Sequence, residues 1–484
     1  MKKNSFWTNT DGIVWYDLET SGISKAFDQP LQFAAITTTP DLDEVETINI
    51  SIKLTADIVP SPDALLVHRI PITPSSSAIG QDIAIERIHQ IINQPNTTNG
   101  GYNTLKFDDE FLRFCFFRHL YHPYTHQFSN GCKRFDLYPT VIYYYLFSNS
   151  TLTWPQIHQR PSFKLENLAK ANLKESLGHA HDALVDVKMT IDLAKIMMSD
   201  QECWHDVTQL FDKNHDLSQT NLLPLVDIDN KTYCHGLLVD TSLGHQRDFS
   251  SLCLSIGSHD YYKNQSLWLS MDKQLLSDFD NIEDMYQVVI KKKWGEPPFL
   301  LHPDKVQQIS SQDEKKRLFE SNLLWLQQNP DKLFEISQTF KQRTYVSQDN
   351  TDLDAKLYEI PFFSTQEEEI CDQFHTSPPN AKASLVERLD HPVLKEQAIR
   401  YLWRYHPEAL ASIKHELSSS YQNQMQQIHN KPILDHTGKE KLTPQACLER
   451  IEAIIQEKDL SEEDKSLIKE LEIYIYDHFM SPFE

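Results

Sequence analysis

The amino-acid order predicts a mixed α/β chain with a sheet-and-helix domain first, a smaller β-rich region second and a mostly helical region last. Three observations carry that reading. Up to about residue 200, strand-like apolar runs closed by turn residues alternate with stretches of helical periodicity. From roughly 220 to 300 the pattern shortens to β-rich runs, and from near Tyr358 onward apolar positions recur at helical spacing.

Taken in order, Ile13-Val14-Trp15-Tyr16-Asp17-Leu18-Glu19 reads as a strand closed by the Thr20-Ser21-Gly22 turn. Leu31 to Thr37 and Ile48 to Leu54 supply two further strands. Helical signals begin near Ala84-Ile85-Glu86-Arg87-Ile88, ahead of Gly100-Gly101-Tyr102-Asn103. A second helix follows Asp108, with Phe111, Leu112, Phe114 and Cys115 dense enough to be buried. Ser162 to Ala169 reads as a short helix capped by Ser162, with Leu165, Leu168 and Ala169 as its apolar face. A later helix carries Leu184, Val187, Ile191 and Ala194 three or four apart, capped by Asp182.

In the β-rich region, Thr232 to Val239 and Gln287 to Ile290 are the clearest strands, and Glu296-Pro297-Pro298-Phe299 breaks regular structure. Ser347 to Asp354 is polar and Asp-rich, as a linker is. Leu385 to Leu389 and Gln397 to Leu402 are helical, with Ala398, Tyr401 and Leu402 on one face. Ser461 followed at the third position by Asp464 marks a last helix start.

A chain of 484 residues accommodates two or three domains, and 40% apolar with 24% charged residues excludes wholesale disorder. No apolar run reaches bilayer length, and Met1-Lys2-Lys3-Asn4-Ser5 leads into polar residues rather than a signal core; the expectation is a cytoplasmic protein without a membrane role. Seven scattered cysteines without a CxxC pair read as reduced thiols, not as a disulfide frame or zinc cluster. The formal charge of −23 describes the total and not a cleft, so locally basic residues can still attract phosphates.

Chemistry concentrates before residue 190. Residues two apart on a strand face the same way, so Asp17 and Glu19 can share a divalent ion. Asp108 precedes one helix and Asp186 lies inside another, with His181 close before it. Singly, these are a solvated strand end, a helix cap, a surface acid and an imidazole bonded to backbone. Together they make the ligand set of a two-metal centre that cuts phosphodiester bonds. Five residues turn a helix by about 500°, so His181 and Asp186 do not stack. His181 is therefore expected on the approach loop, with Asp186 inside the helix.

The motifs Trp15-Tyr16-Asp17-Leu18-Glu19-Thr20-Ser21-Gly22, Gly101-Tyr102-Asn103-Thr104-Leu105-Lys106-Phe107-Asp108-Asp109-Glu110 and His179-Ala180-His181-Asp182-Ala183-Leu184-Val185-Asp186 closely resemble those of the bacterial exonuclease I family, within the DEDDh superfamily of 3′→5′ exonucleases. Pro161 to Leu168, Gly295 to Phe299, Asn350 to Tyr358 and Phe362-Phe363-Ser364 extend the resemblance over nearly the whole chain. It implies a ribonuclease H-like exonuclease core over 10–202, an SH3-like domain with connecting helices over 203–355 and a helical C-terminal domain over 356–484. It implies two Mg²⁺ ions, with Mn²⁺ as substitute, held by Asp17, Glu19, Asp108 and Asp186, with His181 as general base. Asp17 maps to the ligand shared by both ions, Glu19 and Asp186 to the nucleophile side, and Asp108 to the other ion.

For the substrate, the resemblance implies single-stranded DNA degraded processively from its 3′ end to nucleoside 5′-monophosphates, in repair and recombination. A partner contact to the C-terminal tail of single-stranded-DNA-binding protein is also implied, with the enzyme itself a monomer. Candidate strand contacts are Tyr102, Lys106, Arg113, Lys133, Arg134 and Lys164, together with the Lys291-Lys292-Lys293-Trp294 run. Lys164 stands where the family commonly has arginine, which turns a two-pronged phosphate contact into a point charge. Two other readings compete: an exonuclease of single-stranded RNA, and a non-catalytic DNA-binding repair scaffold.

Overall fold

Strand β1 (Gly12–Thr20) organises the first part of the chain, because apolar residues on both of its faces commit it to the middle of a sheet. The computed structural model describes residues 6–7, 10–173, 182–344, 350–361, 363–410, 433–457 and 459–480. After β1 come β2 (Pro30–Thr38), β3 (Glu44–Ser51), α1 (Pro62–His68), α2 (Gln81–Ile92), β4 (Thr97–Gly101), α3 (Asp108–Arg118), α4 (Thr125–Phe128) and β5 (Lys133–Asp136). Next are α5 (Leu137–Phe147), the two-residue strands β6 (Gln156–Ile157) and β7 (Arg160–Pro161), α6 (Leu165–Asn172) and α7 (Ala183–Met197). The chain divides into two units: residues 11–134, 177–190 and 347–484 form one, and residues 1–10, 135–176 and 191–346 the other.

In the first of these, the sheet order is β3-β2-β1-β4-β5. β1 pairs antiparallel with β2, setting Asp17 opposite Ala34 and Glu19 opposite Gln32, and runs parallel to β4 as far as Trp15 opposite Gly100. Val14, Tyr16 and Leu18 enter a core with Phe33, Ile85, Ile88, Phe111, Leu112 and Cys115, which fastens α2 and α3 to the sheet. Ile13 and Trp15 alternate with them and are also buried, and the Trp15 indole donates to the Thr38 hydroxyl at 3.0 Å. By strand alternation Asp17 and Glu19 continue the Trp15 face beyond its apolar part.

The C-terminal helices belong to the same unit. Helices Thr365–Thr376, Pro379–Val386 and Pro392–Tyr405 share a core with Leu120, and Ala398, Tyr401 and Leu402 are buried in it as their spacing predicts. Helices Pro444–Glu457 and Glu462–Ile475 pack Cys447, Ile451 and Leu471 against Val59 and Leu65. Ser461 and Asp464 form the expected capping box. Buried charges reinforce these apolar seams. Arg404 donates to Asp57 at 2.9 Å and to Asp354 at 2.6 Å, while Arg400 grips Asp352 with both terminal nitrogens.

The other unit contains a sheet of β8 (Leu225–Ile228), β9 (Lys231–Val239), β10 (Ser250–Ser258), β11 (Gln265–Ser270), β12 (Val289–Lys293) and β13 (Phe299–Leu301). Its order is β12-β11-β10-β9-β13, with β8 paired to β9. Leu238, Cys253, Trp268 and Leu300 fill its core. Helices Gln312–Gln328 and Pro330–Lys341 follow. Among the described residues no helix is long and apolar enough to cross a membrane.

Several local expectations shift. The third strand ends at Ser51 instead of reaching Leu54, and Ile282–Gln287 is 3₁₀, so β12 begins only at Val289. Ser162 does not cap α6: Lys164 is the residue before its first turn, and the Ser162 hydroxyl accepts from the Asn167 amide at 2.8 Å. The helix through Leu385 stops at Val386. Of the linker expected over Ser347 to Asp354, residues 347–349 lie outside the described set, and Leu353–Tyr358 is a 3₁₀ helix.

Removing one partner of a buried ion pair strands the other charge, at a cost of about 3–5 kcal/mol. Arg404→Ala should therefore lower the unfolding free energy by roughly that amount in urea titrations; an unchanged midpoint would show that the pairs with Asp57 and Asp354 contribute no net stability.

Candidate metal centre

The acidic end of β1 meets the first turn of α7. One oxygen each from Asp17, Glu19 and Asp186 lies within 4.8 Å of the others, all three side chains being half-buried. Each is placed by a local rule. Asp17 and Glu19 are two apart on one strand face, and Asp186 sits one turn into α7, where Asp182 accepts from the Leu184 N–H at 2.9 Å as the expected cap. Asp108 begins α3 and is buried. Its side chain accepts from the Leu18 N–H at 3.2 Å, tying the second motif to the first.

Gly101 makes this approach possible. A Cβ there would overlap the Tyr16 carbonyl oxygen and the Thr104 methyl, so the chain leaving β4 passes β1 at a distance that no side chain permits.

The gathered acids perturb one another. Burial, then Asp108, Glu19 and Asp186, raises the Asp17 carboxyl well above its ordinary range. Burial, then Asp186 and Asp108, pushes Glu19 up to about 8. A divalent cation relieves this crowding, and an all-oxygen donor set suits a hard ion of the Mg²⁺ or Mn²⁺ type. His181 lies outside the described residues.

The predicted strand contacts separate into groups. Tyr102 is half-buried between β4 and the 3₁₀ turn Thr104–Lys106, and Lys106 is exposed on that turn just ahead of Asp108. Lys133 is half-buried on β5. Arg113 and Arg134 turn inward: they donate to Asp109 at 2.5 and 2.7 Å, and their side chains are 11% and 13% exposed. They are thus internal counter-ions, which corrects their assignment as open phosphate contacts.

In the other unit, Lys164 is exposed, with Glu166 3.7 Å away. Lys291 and Lys293 project outward from β12. Lys292 alternates inward, is fully buried and pairs with Asp216, so it is not a phosphate contact. Trp294 is half-buried against the β-domain core, with the Lys292 ammonium 5.3 Å from its ring centre.

Sequence reasoning missed Asp109 as the centre of an ion cluster and His126 as its third partner, at 2.5 Å. The spacing of Asp109 and Arg113, four apart on one helix, was the available signal. Nothing in the sequence marks His126.

Residues 14–194 match the exonuclease family model, and residues 351–478 match that of the exonuclease I C-terminal domain. The chain is 36% identical over 189 residues to exodeoxyribonuclease I of Haemophilus influenzae, covering 38% of this chain and 40% of that protein. It is 34% identical over 221 residues to the Escherichia coli exodeoxyribonuclease I, covering 45% of each. The chain thus spans less than half the length of these two relatives. A similar Buchnera aphidicola protein is 24% identical over 419 residues, covering 82% of this chain and 84% of that one. In fold, the chain resembles a zinc-bound complex of Escherichia coli exonuclease I with single-stranded DNA, with TM-score 0.82 and 21% identity over 97% of this chain and 99% of that one.

The raised Glu19 value fixes the sign of a pH effect. Between the ordinary glutamate range and about 8, folded metal-free protein holds a proton that the unfolded chain has lost. The stability this contributes is complete at lower pH and is lost as pH rises through about 8. In EDTA, the melting temperature of the wild type should therefore fall relative to Glu19→Gln across that window, and Mg²⁺ should restore it. A pH-independent difference would refute the crowding.

Proposed function

The chain is a homologue of bacterial exodeoxyribonuclease I, in the DEDDh exonuclease superfamily, and from this we propose that it is a metal-dependent 3′→5′ exonuclease of single-stranded DNA. The observation that carries the reading is the convergence of Asp17, Glu19 and Asp186 beside Asp108, inside the segment that matches the exonuclease family.

Two Mg²⁺ ions, or Mn²⁺ in their place, would orient an attacking water and stabilise charge on the leaving oxygen. Asp17, whose carboxyl is raised first by burial and then by Asp108, Glu19 and Asp186, is proposed as the shared ligand. Glu19 and Asp186 hold the nucleophile side, and Asp108 the leaving-group side. His181 takes the proton of the attacking water. The new bond joins water oxygen to phosphorus and the bond to the 3′ oxygen breaks; solvent protonates that oxygen, releasing a nucleoside 5′-monophosphate and a strand shortened by one.

Lys106, exposed, and Tyr102, half-buried, are proposed to meet the terminal nucleotides, a cation for phosphate and a ring for stacking. Lys133, Lys164, Lys291, Lys293 and Trp294 are proposed for the strand beyond. The functional parts accompanying this reading are the exonuclease domain over 10–202, the SH3-like domain over 203–355 and the helical domain over 356–484. Processive action in repair, a cytoplasmic monomeric state and contact with the tail of single-stranded-DNA-binding protein complete the proposal. A structurally similar exonuclease I has been solved with that binding protein and an inhibitor.

A product time course on 3′-labelled and 5′-labelled single strands, with duplex, RNA and 3′-blocked controls, tests the reading. Mononucleotides should appear first from the 3′ label, EDTA should abolish their release, and Asp186→Ala should leave almost none. His181→Ala should slow cleavage by about 10²–10⁴-fold with strand affinity retained. Faster digestion of RNA, or cutting within blocked strands, would defeat the assignment.

A further inference from the structure

Two neighbouring carboxylates at the start of α3 have opposite surroundings. Asp108 faces β1 and the acidic cluster. Asp109, about 100° further round the helix, faces two arginines and a histidine. Its Oδ2 accepts from Arg113 at 2.5 Å and Arg134 at 2.7 Å, and its Oδ1 lies 2.5 Å from His126 Nε2. The side chain is 1% exposed, and its three partners come from the second turn of α3, from β5 and from α4. Arg113 is itself fixed, 5.7 Å from the centre of the Tyr124 ring and within hydrogen-bonding reach of the Gln127 amide oxygen.

A helix-dipole role alone does not account for this arrangement, because that benefit needs no partners on β5 and α4. A carboxyl held at once from α3, β5 and α4 fixes both the rotation and the depth of the α3 N-terminus. The neighbouring Asp108 is thereby turned toward β1, where it accepts from the Leu18 N–H.

We propose that Asp109 is a positioning residue for the metal centre: gripped by Arg113, Arg134 and His126, it sets the direction in which α3 presents Asp108 to a divalent cation. This rests on the nuclease reading for the use made of the cation, though not for the binding of it. The arginines then serve the site by holding the helix that carries a ligand, without touching the strand.

The test is Mn²⁺ binding by full-length protein, followed by electron paramagnetic resonance, together with steady-state cleavage at increasing Mn²⁺. Asp109→Asn keeps the shape and removes the charge. It should weaken Mn²⁺ binding by about 10–100-fold, the usual consequence of disturbing groups that orient metal ligands. Saturating Mn²⁺ should return kcat toward wild type, and KM for the strand should stay within about twofold, since no strand contact has been removed. A merely structural role would lower the melting temperature in EDTA without this recovery by metal.

Wild-type Mn²⁺ affinity in a folded Asp109→Asn protein would overturn the proposal, as would a loss of kcat that no metal concentration repairs. Should that variant not fold, Arg134→Gln carries the test, because Arg113 and His126 still hold Asp109. A fall of about threefold or more in Mn²⁺ affinity supports the proposal and an unchanged affinity refutes it. Wild-type protein that binds Mn²⁺ yet cleaves no strand would sink the nuclease reading alone.

Discussion

Mutual repulsion among Asp17, Glu19, Asp108 and Asp186 is the constraint on which the rest of their unit depends. Carboxylates do not gather unaided in a half-buried place, so the surrounding structure must supply the free energy that holds them there. It does so with apolar material. Val14, Tyr16 and Leu18 lock one face of β1 to α2 and α3, and Trp15 is buried on the other. The acids occupy the end of a strand whose position is already over-determined, and a cation then finds a site whose geometry was set by residues that never touch it.

The same unit treats buried charge in two distinct ways. Among the described residues, the principal influences on Asp17 and Glu19 are burial and other acids. Asp109, Asp57 and Asp354 instead receive arginines. In the other unit Asp216 and Asp272 take Lys292, Lys315 and Arg247. These basic side chains are therefore turned inward. Lys106 in one unit, and Lys164, Lys291 and Lys293 in the other, face outward instead.

Legibility in the sequence followed the range of the interaction involved. Period-two alternation placed Asp17 and Glu19 on one face, and capping chemistry located Asp182 and Ser461 before their helices, because these depend on residues a few positions apart. The inward turn of Arg113 and Arg134 was hidden because their partner is chosen by tertiary packing, with β5 and α4 closing on α3. Lys292 shows the reverse failure. Three consecutive lysines looked uniformly exposed, yet strand alternation requires the middle one to point away from its neighbours, and Asp216 receives it. Ser162 was a reasonable cap by residue type, but α6 begins too late for it to serve.

Gly101 has a bearing on how inactive alleles of this gene would be read. A methyl group at that position removes no charged group and alters no surface chemistry, yet it pushes apart the two chain segments that bring Asp108 to β1. A genetic screen would therefore recover substitutions there alongside those of the acids themselves. Anyone cataloguing harmful variants by chemical type would file such a change as conservative and misjudge it.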